Sequence, residues 1–126
     1  MISGTILYVE DNPANQFLME RIIARYPDLE MLAAESAERG LELASSARPD
    51  MILMDINLPG MDGYQALEQL RLNETTRDIP VIAVSANIRP TGQEANQISS
   101  FTDYLTKPVN IREVIDIITA TLDGRS

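Results

Sequence analysis

The 126-residue sequence contains no cysteine and no histidine. The absence of cysteine excludes disulfide bonds and thiolate chemistry. The absence of histidine removes the commonest protein ligand of transition metals and the commonest general base. A metal ion bound by this chain would therefore be a hard cation held by oxygen atoms, such as Mg²⁺.

Long apolar segments and basic charge are also scarce. No apolar run approaches the roughly 18 residues that a membrane span requires, and the first segment, MISGTILYVED, has no basic region before its short apolar run. We therefore expect neither a membrane anchor nor a signal peptide. The formal net charge is −9, which disfavours non-specific binding to nucleic acid. Together these features predict a cytoplasmic globular protein.

In the chain, short apolar runs alternate regularly with segments whose apolar residues have helical spacing. Hydrophobic residues make up 44% of the sequence, and the length predicts a single domain, residues 1–126. The predicted strands are Ile6–Val9, Met31–Ala34, Met51–Met54, Val81–Val84 and the partly polar Phe101–Leu105. Alternating strands and helices are typical of an α/β fold whose parallel sheet is buried on both faces. We expect five strands and five helices in a doubly wound order.

The first helix is predicted to begin at Asn12-Pro13, an N-cap followed by proline at the first helical position. Spacing by four places Ala14, Leu18 and Ile22 toward the core. Ile23, and with it Met19, is then left at or near the surface, either as an ordinary exposed hydrophobic residue or as a contact for a partner protein.

Three other segments have helical signals of differing strength. The second helix is predicted at Ala37–Ala47, and the third opens at Asp62-Gly63 with Ala66, Leu67 and Leu70 inward. The last helix follows Pro108, and its apolar stripe comprises Ile111, Val114, Ile115, Ile118 and Leu122, with Ile117 off the stripe. The fourth-helix region, residues 87–100, has few strong helix formers, so we expect a short or late-starting helix there.

Polar residues stand at the carboxyl ends of the predicted strands, where ligands bind in a doubly wound sheet. The first strand leads into Glu10 and Asp11, the third into Asp55, the fourth into Ser85 and the fifth into Lys107. A single carboxylate after a strand is more often a loop residue or a helix cap than a ligand. Five such residues together indicate a site.

The chemistry of this set is that of phosphoryl transfer. Neighbouring carboxylates repel one another, and a hard divalent cation relieves that repulsion. Lys107 and Ser85 suit the equatorial oxygens of a phosphoryl group. Asp55 can attack phosphorus without a general base because its carboxylate is already ionised. Since the chain has no histidine, a phosphohistidine donor must be another protein.

The same residues resemble the receiver domains of two-component response regulators. VEDNP resembles the family's acidic pair, ILMDINLPGMDG its phosphoacceptor strand and loop, PVIAVSAN its hydroxyl residue and DYLTKP its lysine. The resemblance extends from about residue 5 to residue 122. It includes single-domain regulators and the receivers of hybrid sensor histidine kinases.

The resemblance implies a flavodoxin-like sheet with strand order 2-1-3-4-5. It implies transfer of a phosphoryl group from a histidine kinase or a histidine phosphotransfer protein to Asp55. It also implies Mg²⁺ held by Asp11, Asp55 and the backbone carbonyl of Asn57, with Glu10 acting through water, and a cis peptide bond before Pro108.

The resemblance further implies a switch between Ser85 and Tyr104. When Ser85 moves toward the phosphoryl group, the ring of Tyr104 turns inward. The face formed by the fourth helix, fifth strand and fifth helix then changes shape and binds a downstream protein target. Apart from the resemblance, the position of Ile117 off the stripe of the last helix makes it a second candidate contact residue, for the phosphodonor, for output or for self-association as a dimer.

Two other functions compete with a phosphorylated signalling module. A phosphohydrolase of the haloacid-dehalogenase type also uses an aspartate after a strand, but it requires a second aspartate where Asn57 stands and usually a longer chain. A degenerate receiver would act as an unphosphorylated binding module, and the complete set of site residues argues against it. We expect no enzymatic activity beyond phosphorylation and dephosphorylation of the chain itself. The sequence stops four residues after Leu122, as in a single-domain regulator or a receiver cut from a larger protein.

Overall fold

Strands and helices alternate along the chain in the computed structural model, which describes residues 2–86 and 92–123. The ten elements are β1 (Gly4–Val9), α1 (Pro13–Ile23), β2 (Leu29–Ala34), α2 (Ala37–Ala47), β3 (Met51–Asp55), α3 (Gly63–Leu72), β4 (Val81–Ser85), α4 (Gly92–Ile98), β5 (Asp103–Thr106) and α5 (Ile111–Asp123). The strands form one parallel sheet in the order β2-β1-β3-β4-β5. The predicted flavodoxin-like, doubly wound fold is therefore confirmed.

Alternate residues of the strands face opposite sides of the sheet and create two hydrophobic clusters. In β1, for example, Leu7 and Val9 pack toward α2 and α3, whereas Ile6 and Tyr8 pack toward α1 and α5. The central strand β3 is buried along its whole length. Burial on both faces explains why β3 and β4 appear in the sequence as continuous apolar runs.

The elements with strong local signals lie where the sequence predicts them. The helix α2 has the predicted bounds, and α3 begins after Asp62, whose side chain forms a capping box with Gln65. The predicted inward residues Ala66, Leu67 and Leu70 are all buried.

The predicted start of the fifth strand needs correction. The fifth strand begins at Asp103 rather than at Phe101. Phe101 instead lies in the turn after α4, where its ring makes an edge contact with Tyr64 at a centroid distance of 6.0 Å. The helix α4 is short, as expected, with seven residues. Residues 87–91 of the predicted fourth-helix region lie outside the described part of the chain.

The predicted core face of α1 is wrong at Ala14 and Leu18 and right at Ile22. Met19 and Ile23 are buried together with Ile22, whereas Leu18 is 44% exposed and Ala14 is also exposed. Ile23 is only 2% exposed and therefore cannot contact a partner protein.

A hydrogen bond at the start of α1 accompanies this orientation of the helix. The Asn15 side-chain amide donates to Glu10 Oε1 at 3.0 Å, which turns Asn15 toward the sheet. Met19 and Ile22 lie four and seven residues further along and share that helix face. Phe17 consequently points outward and is 60% exposed.

The buried face of α5 also differs from the predicted apolar stripe, at the first residue of that stripe. Val114, Ile118 and Leu122 are buried as predicted, but Ile111 is 45% exposed. Ile111 is the first residue of the helix and lines a groove against α1 instead of joining the core. Ile117, predicted to be off the stripe, is partly buried against the cluster that α1 and α5 share. Among the described residues, no helix is both long and apolar enough to cross a membrane.

Candidate functional site

The sheet brings the predicted site residues to one edge because its parallel strands all end there. Glu10 follows the last residue of β1, Asp55 ends β3, Ser85 ends β4 and Lys107 follows β5. The backbone ladder continues past these ends, since Glu10 N donates to Ala34 O at 2.9 Å and Lys107 N donates to Ser85 O at 2.8 Å. The backbone positions of these residues are therefore fixed by the sheet.

Lys107 bridges two buried carboxylates. Its Nζ atom lies 2.9 Å from Glu10 Oε1 and 3.0 Å from Asp55 Oδ2. The other oxygen of Asp55, Oδ1, accepts a hydrogen bond from the Asn57 amide at 3.0 Å. Asp55 is 2% exposed, so its carboxylate is held by donors on both oxygens in a nearly dry position.

A third carboxylate completes an acidic cluster. Glu10, Asp11 and Asp55 each place one carboxylate oxygen within 4.8 Å of the other two. Asp11 is exposed, whereas Glu10 and Asp55 are buried. Three carboxylates against the one ammonium group of Lys107 leave an excess of negative charge, and oxygen donors at this spacing fit a hard divalent cation.

The pKa values of the two buried carboxyl groups are shifted in opposite directions. Burial and the neighbouring Glu10 raise the pKa of Asp55 above its ordinary value, against the opposing hydrogen bonds from Asn57 and Lys107. Burial also acts to raise the pKa of Glu10, but hydrogen bonds with Asp55 and Lys107 outweigh it and lower that pKa to about 2. Two buried carboxyl groups that compete for one lysine thus have pKa values shifted apart.

Glu10 has further partners that the sequence reasoning missed. Tyr8 donates its hydroxyl to Glu10 Oε1 at 3.2 Å, and Asn15 donates to the same oxygen at 3.0 Å. Burial and the charge of Glu10 raise the pKa of Tyr8 far above its ordinary value, so the hydroxyl remains a donor. The available signal for this contact was Tyr8 itself, a polar residue in the apolar strand β1. It lies two positions before Glu10 and on the same face of the sheet.

The remaining predicted residues occupy different positions around this centre. Ser85 is buried at the end of β4, and Asn57 is exposed in the loop after β3. The Lys107–Pro108 peptide bond is cis, which is the geometry that the family resemblance implies. Tyr104 lies away from the cluster, 39% exposed on the edge strand β5, where it pairs with Ala83 of β4.

Comparisons with known proteins agree with this geometry. The family model for the response regulator receiver domain matches residues 6–119. PilH of Pseudomonas aeruginosa is 35% identical over 119 residues, which cover 94% of this chain and 98% of PilH. The sensor protein GacS of Pseudomonas syringae pv. syringae is 32% identical over 116 residues, which cover 90% of this chain and 13% of GacS. The chain therefore spans nearly all of one relative and a small part of the other.

Solved structures give the same assignment. The receiver domain of the sensor histidine kinase PA1611 from Pseudomonas aeruginosa PAO1 superposes with a TM-score of 0.86 at 30% identity, over 98% of this chain and 100% of that one. That crystal structure has a magnesium ion coordinated in its active-site cleft. The receiver domain of a signal transduction histidine kinase from Syntrophus aciditrophicus has a TM-score of 0.86 at 25% identity, over 98% of this chain and 93% of that one. From the matched residues, the strand order and the site, this chain belongs to the response regulator receiver domain family.

Proposed function

We propose that Asp55 is the phosphorylated aspartate of this receiver domain, and that it takes its phosphoryl group from a phosphohistidine on a kinase or phosphotransfer protein. The bridge from Lys107 Nζ to Asp55 Oδ2 and Glu10 Oε1 supports this assignment most directly. It places a fixed positive charge beside the one buried aspartate in the acidic cluster.

The transfer follows from the position of these groups. A carboxylate oxygen of Asp55 forms a bond to phosphorus as the P–N bond of the donor breaks, and the imidazole leaves with the bonding electron pair. Lys107 balances the charge on the equatorial oxygens of the phosphoryl group, and the Ser85 hydroxyl donates to one of them. Hydrolysis of the same acyl phosphate returns the chain to its starting state, so the reactions it catalyses are its own phosphorylation and dephosphorylation.

Magnesium fits this site because the donors are carboxylate oxygens that carry excess negative charge. Asp11, Asp55 and the backbone carbonyl of Asn57 would hold the ion, and Glu10 would act through a water molecule. When bound, Mg²⁺ supplies positive charge that draws in the phosphoryl group and offsets the repulsion among the carboxylates.

The phosphodonor docks on the exposed apolar face of α1 and the start of α5. Phe17, Leu18 and Ile111 are 60%, 44% and 45% exposed and line one groove. Leu18 also lines an adjoining cavity of about 290 Å³ together with Lys107 and Pro108. An apolar donor helix in the groove would therefore lie directly beside the phosphorylation site.

The output of the domain depends on Ser85 and Tyr104. Tyr104 pairs with Ala83, two residues before Ser85, and its side chain is partly exposed. Movement of Ser85 toward the phosphoryl group would draw the ring of Tyr104 inward and change the face made by α4, β5 and α5. A downstream protein target binds that face.

Phosphorylation by a small donor tests the assignment. Wild-type protein incubated with acetyl phosphate and Mg²⁺ should gain the mass of one phosphoryl group in an intact-mass measurement, and Asp55→Asn should gain none. Asp116→Asn, a change at an exposed position in α5, is the matched control and should label like the wild type. Stoichiometric labelling of Asp55→Asn contradicts the assignment. Rapid turnover of small phosphate esters by the wild type would favour the phosphohydrolase instead.

A further inference from the structure

Tyr8 carries a hydroxyl group that the packing of the core does not require. It lies in β1 between Leu7 and Val9, and 1% of its surface is exposed. Its ring belongs to the hydrophobic cluster beneath α1 and α5, where a phenylalanine ring would fill nearly the same volume. A buried hydroxyl is costly without a partner, and that partner is Glu10 Oε1 at 3.2 Å.

The two oxygens of Glu10 have very different surroundings. Oε1 accepts hydrogen bonds from the Tyr8 hydroxyl at 3.2 Å, from Asn15 Nδ2 at 3.0 Å and from Lys107 Nζ at 2.9 Å. Oε2 accepts a hydrogen bond from the Asn12 backbone amide at the longer distance of 3.3 Å. Three donors occupy the acceptor capacity of Oε1 and fix the plane of the carboxylate, while Oε2 keeps a lone pair available.

We infer that Tyr8 is a positioning residue for the divalent-cation site. Its hydroxyl holds Glu10 Oε1 within the protein and thereby presents Oε2 to the cation and its bound water. The inference rests on the proposed function, because it requires the acidic cluster to bind Mg²⁺. Outer partners of this kind orient the ligand groups of a metal site, and their loss typically weakens metal binding by about 10–100-fold.

The variant Tyr8→Phe tests this role because it removes one oxygen atom and leaves the ring in the core. Two measurements are made: Mg²⁺ binding by titration calorimetry, and the Mg²⁺ concentration that gives half the maximal rate of labelling by acetyl phosphate. Tyr8→Phe should weaken binding and raise that concentration by about tenfold, while the labelling rate at saturating Mg²⁺ stays close to the wild-type rate. The control Tyr26→Phe, a change at a partly buried tyrosine of the same cluster, should alter neither quantity.

A second variant shows whether Tyr8 acts through Glu10. In the Glu10→Gln background, adding Tyr8→Phe should produce little further loss of Mg²⁺ affinity, since the group that Tyr8 positions has already been changed. Equal Mg²⁺ affinity in wild type and Tyr8→Phe, or full additivity of the two substitutions, overturns the inference. A wild-type protein that neither binds Mg²⁺ nor becomes labelled contradicts the proposed function itself, which is a distinguishable outcome.

Discussion

Lys107 Nζ lies 3.0 Å from Asp55 Oδ2, although the two residues are 52 positions apart in the sequence. They come from strands that are not neighbours, since β4 lies between β3 and β5 in the sheet. The lysine side chain therefore crosses the end of β4, where Ser85 stands. Lys107 is also the only lysine in the chain. One cation thus serves two carboxylates, and the backbone amide of the same lysine donates to Ser85 O at the end of the intervening strand.

Replacing Lys107 should change Mg²⁺ binding and labelling in opposite directions. Lys107→Gln removes the positive charge that competes with a cation for Glu10 and Asp55, so calorimetry should show tighter Mg²⁺ binding. The same change removes a preorganised charge from the phosphoryl oxygens and should slow labelling by acetyl phosphate by about 10²-fold. Arg112→Gln, at an exposed position in α5, is the control for loss of one positive charge. Weaker Mg²⁺ binding in Lys107→Gln would contradict this account of the site.

Removal of Asp11 should make labelling strongly dependent on the Mg²⁺ concentration. Asp11→Ala takes one of three carboxylates from the cluster, and the exposed position of Asp11 means that the fold should be unaffected. The Mg²⁺ concentration for half-maximal labelling should rise by at least the roughly 10–100-fold typical for the loss of an outer partner. Asp116→Ala provides the comparison at a position outside the cluster. Labelling at limiting Mg²⁺ that matches the wild type would exclude Asp11 from the site.

Gly63 is required by the close approach of α3 to the end of β3. A Cβ atom at this position would lie 2.6 Å from the Asp55 carbonyl oxygen and 2.8 Å from Ile56 Cα. Both are backbone atoms, so Gly63→Ala must shift either the helix or the strand end that carries Asp55. We expect a loss of about 1–3 kcal/mol in the free energy of unfolding, measured by urea denaturation, together with slower labelling.

The matched variant is Gly40→Ala, whose Cβ would lie 2.7 Å from Val9 Cγ2. This contact is with a core side chain and not with the backbone of Asp55. Gly40→Ala should therefore lower stability while labelling at saturating Mg²⁺ stays near the wild-type rate. If the two variants slow labelling equally, the contact of Gly63 with the end of β3 has no special role at the site.

The exposed residues of α1 should affect the rate of phosphotransfer from a protein donor but not the rate of labelling by a small-molecule donor. Leu18→Glu places a charge in the groove beside Lys107 and should slow phosphotransfer from a phosphohistidine protein that labels the wild type. Its rate of labelling by acetyl phosphate should be unchanged. Leu72→Glu is the control, since Leu72 is 75% exposed at the carboxyl end of α3. Equal transfer rates from the protein donor to Leu18→Glu and to wild type would remove Leu18 from the docking face.

Local sequence signals account for much of the fold and for the composition of the site. The strands β3 and β4 appear as apolar runs because both of their faces are buried, and α3 is marked by the capping box at Asp62. In a parallel sheet, the polar residues that end such strands must meet at one edge. For this reason Asp55, Ser85 and Lys107 could be assigned to one site before their separation was known.

The orientation of α1 was decided by tertiary contacts. Leu18 and Met19 are adjacent apolar residues. The helical spacing of apolar residues in this segment is compatible with either one facing the core. In the fold, Met19 is buried together with Ile22 and Ile23, and Asn15 on the same helix face donates to Glu10. The sequence by itself therefore determined the strands, their polar ends and the phosphoryl-transfer chemistry, because these depend on local periodicity and residue type. Only the packed structure decided which face of α1 is exposed and that Tyr8 supports Glu10, because both depend on side chains that meet across separate elements.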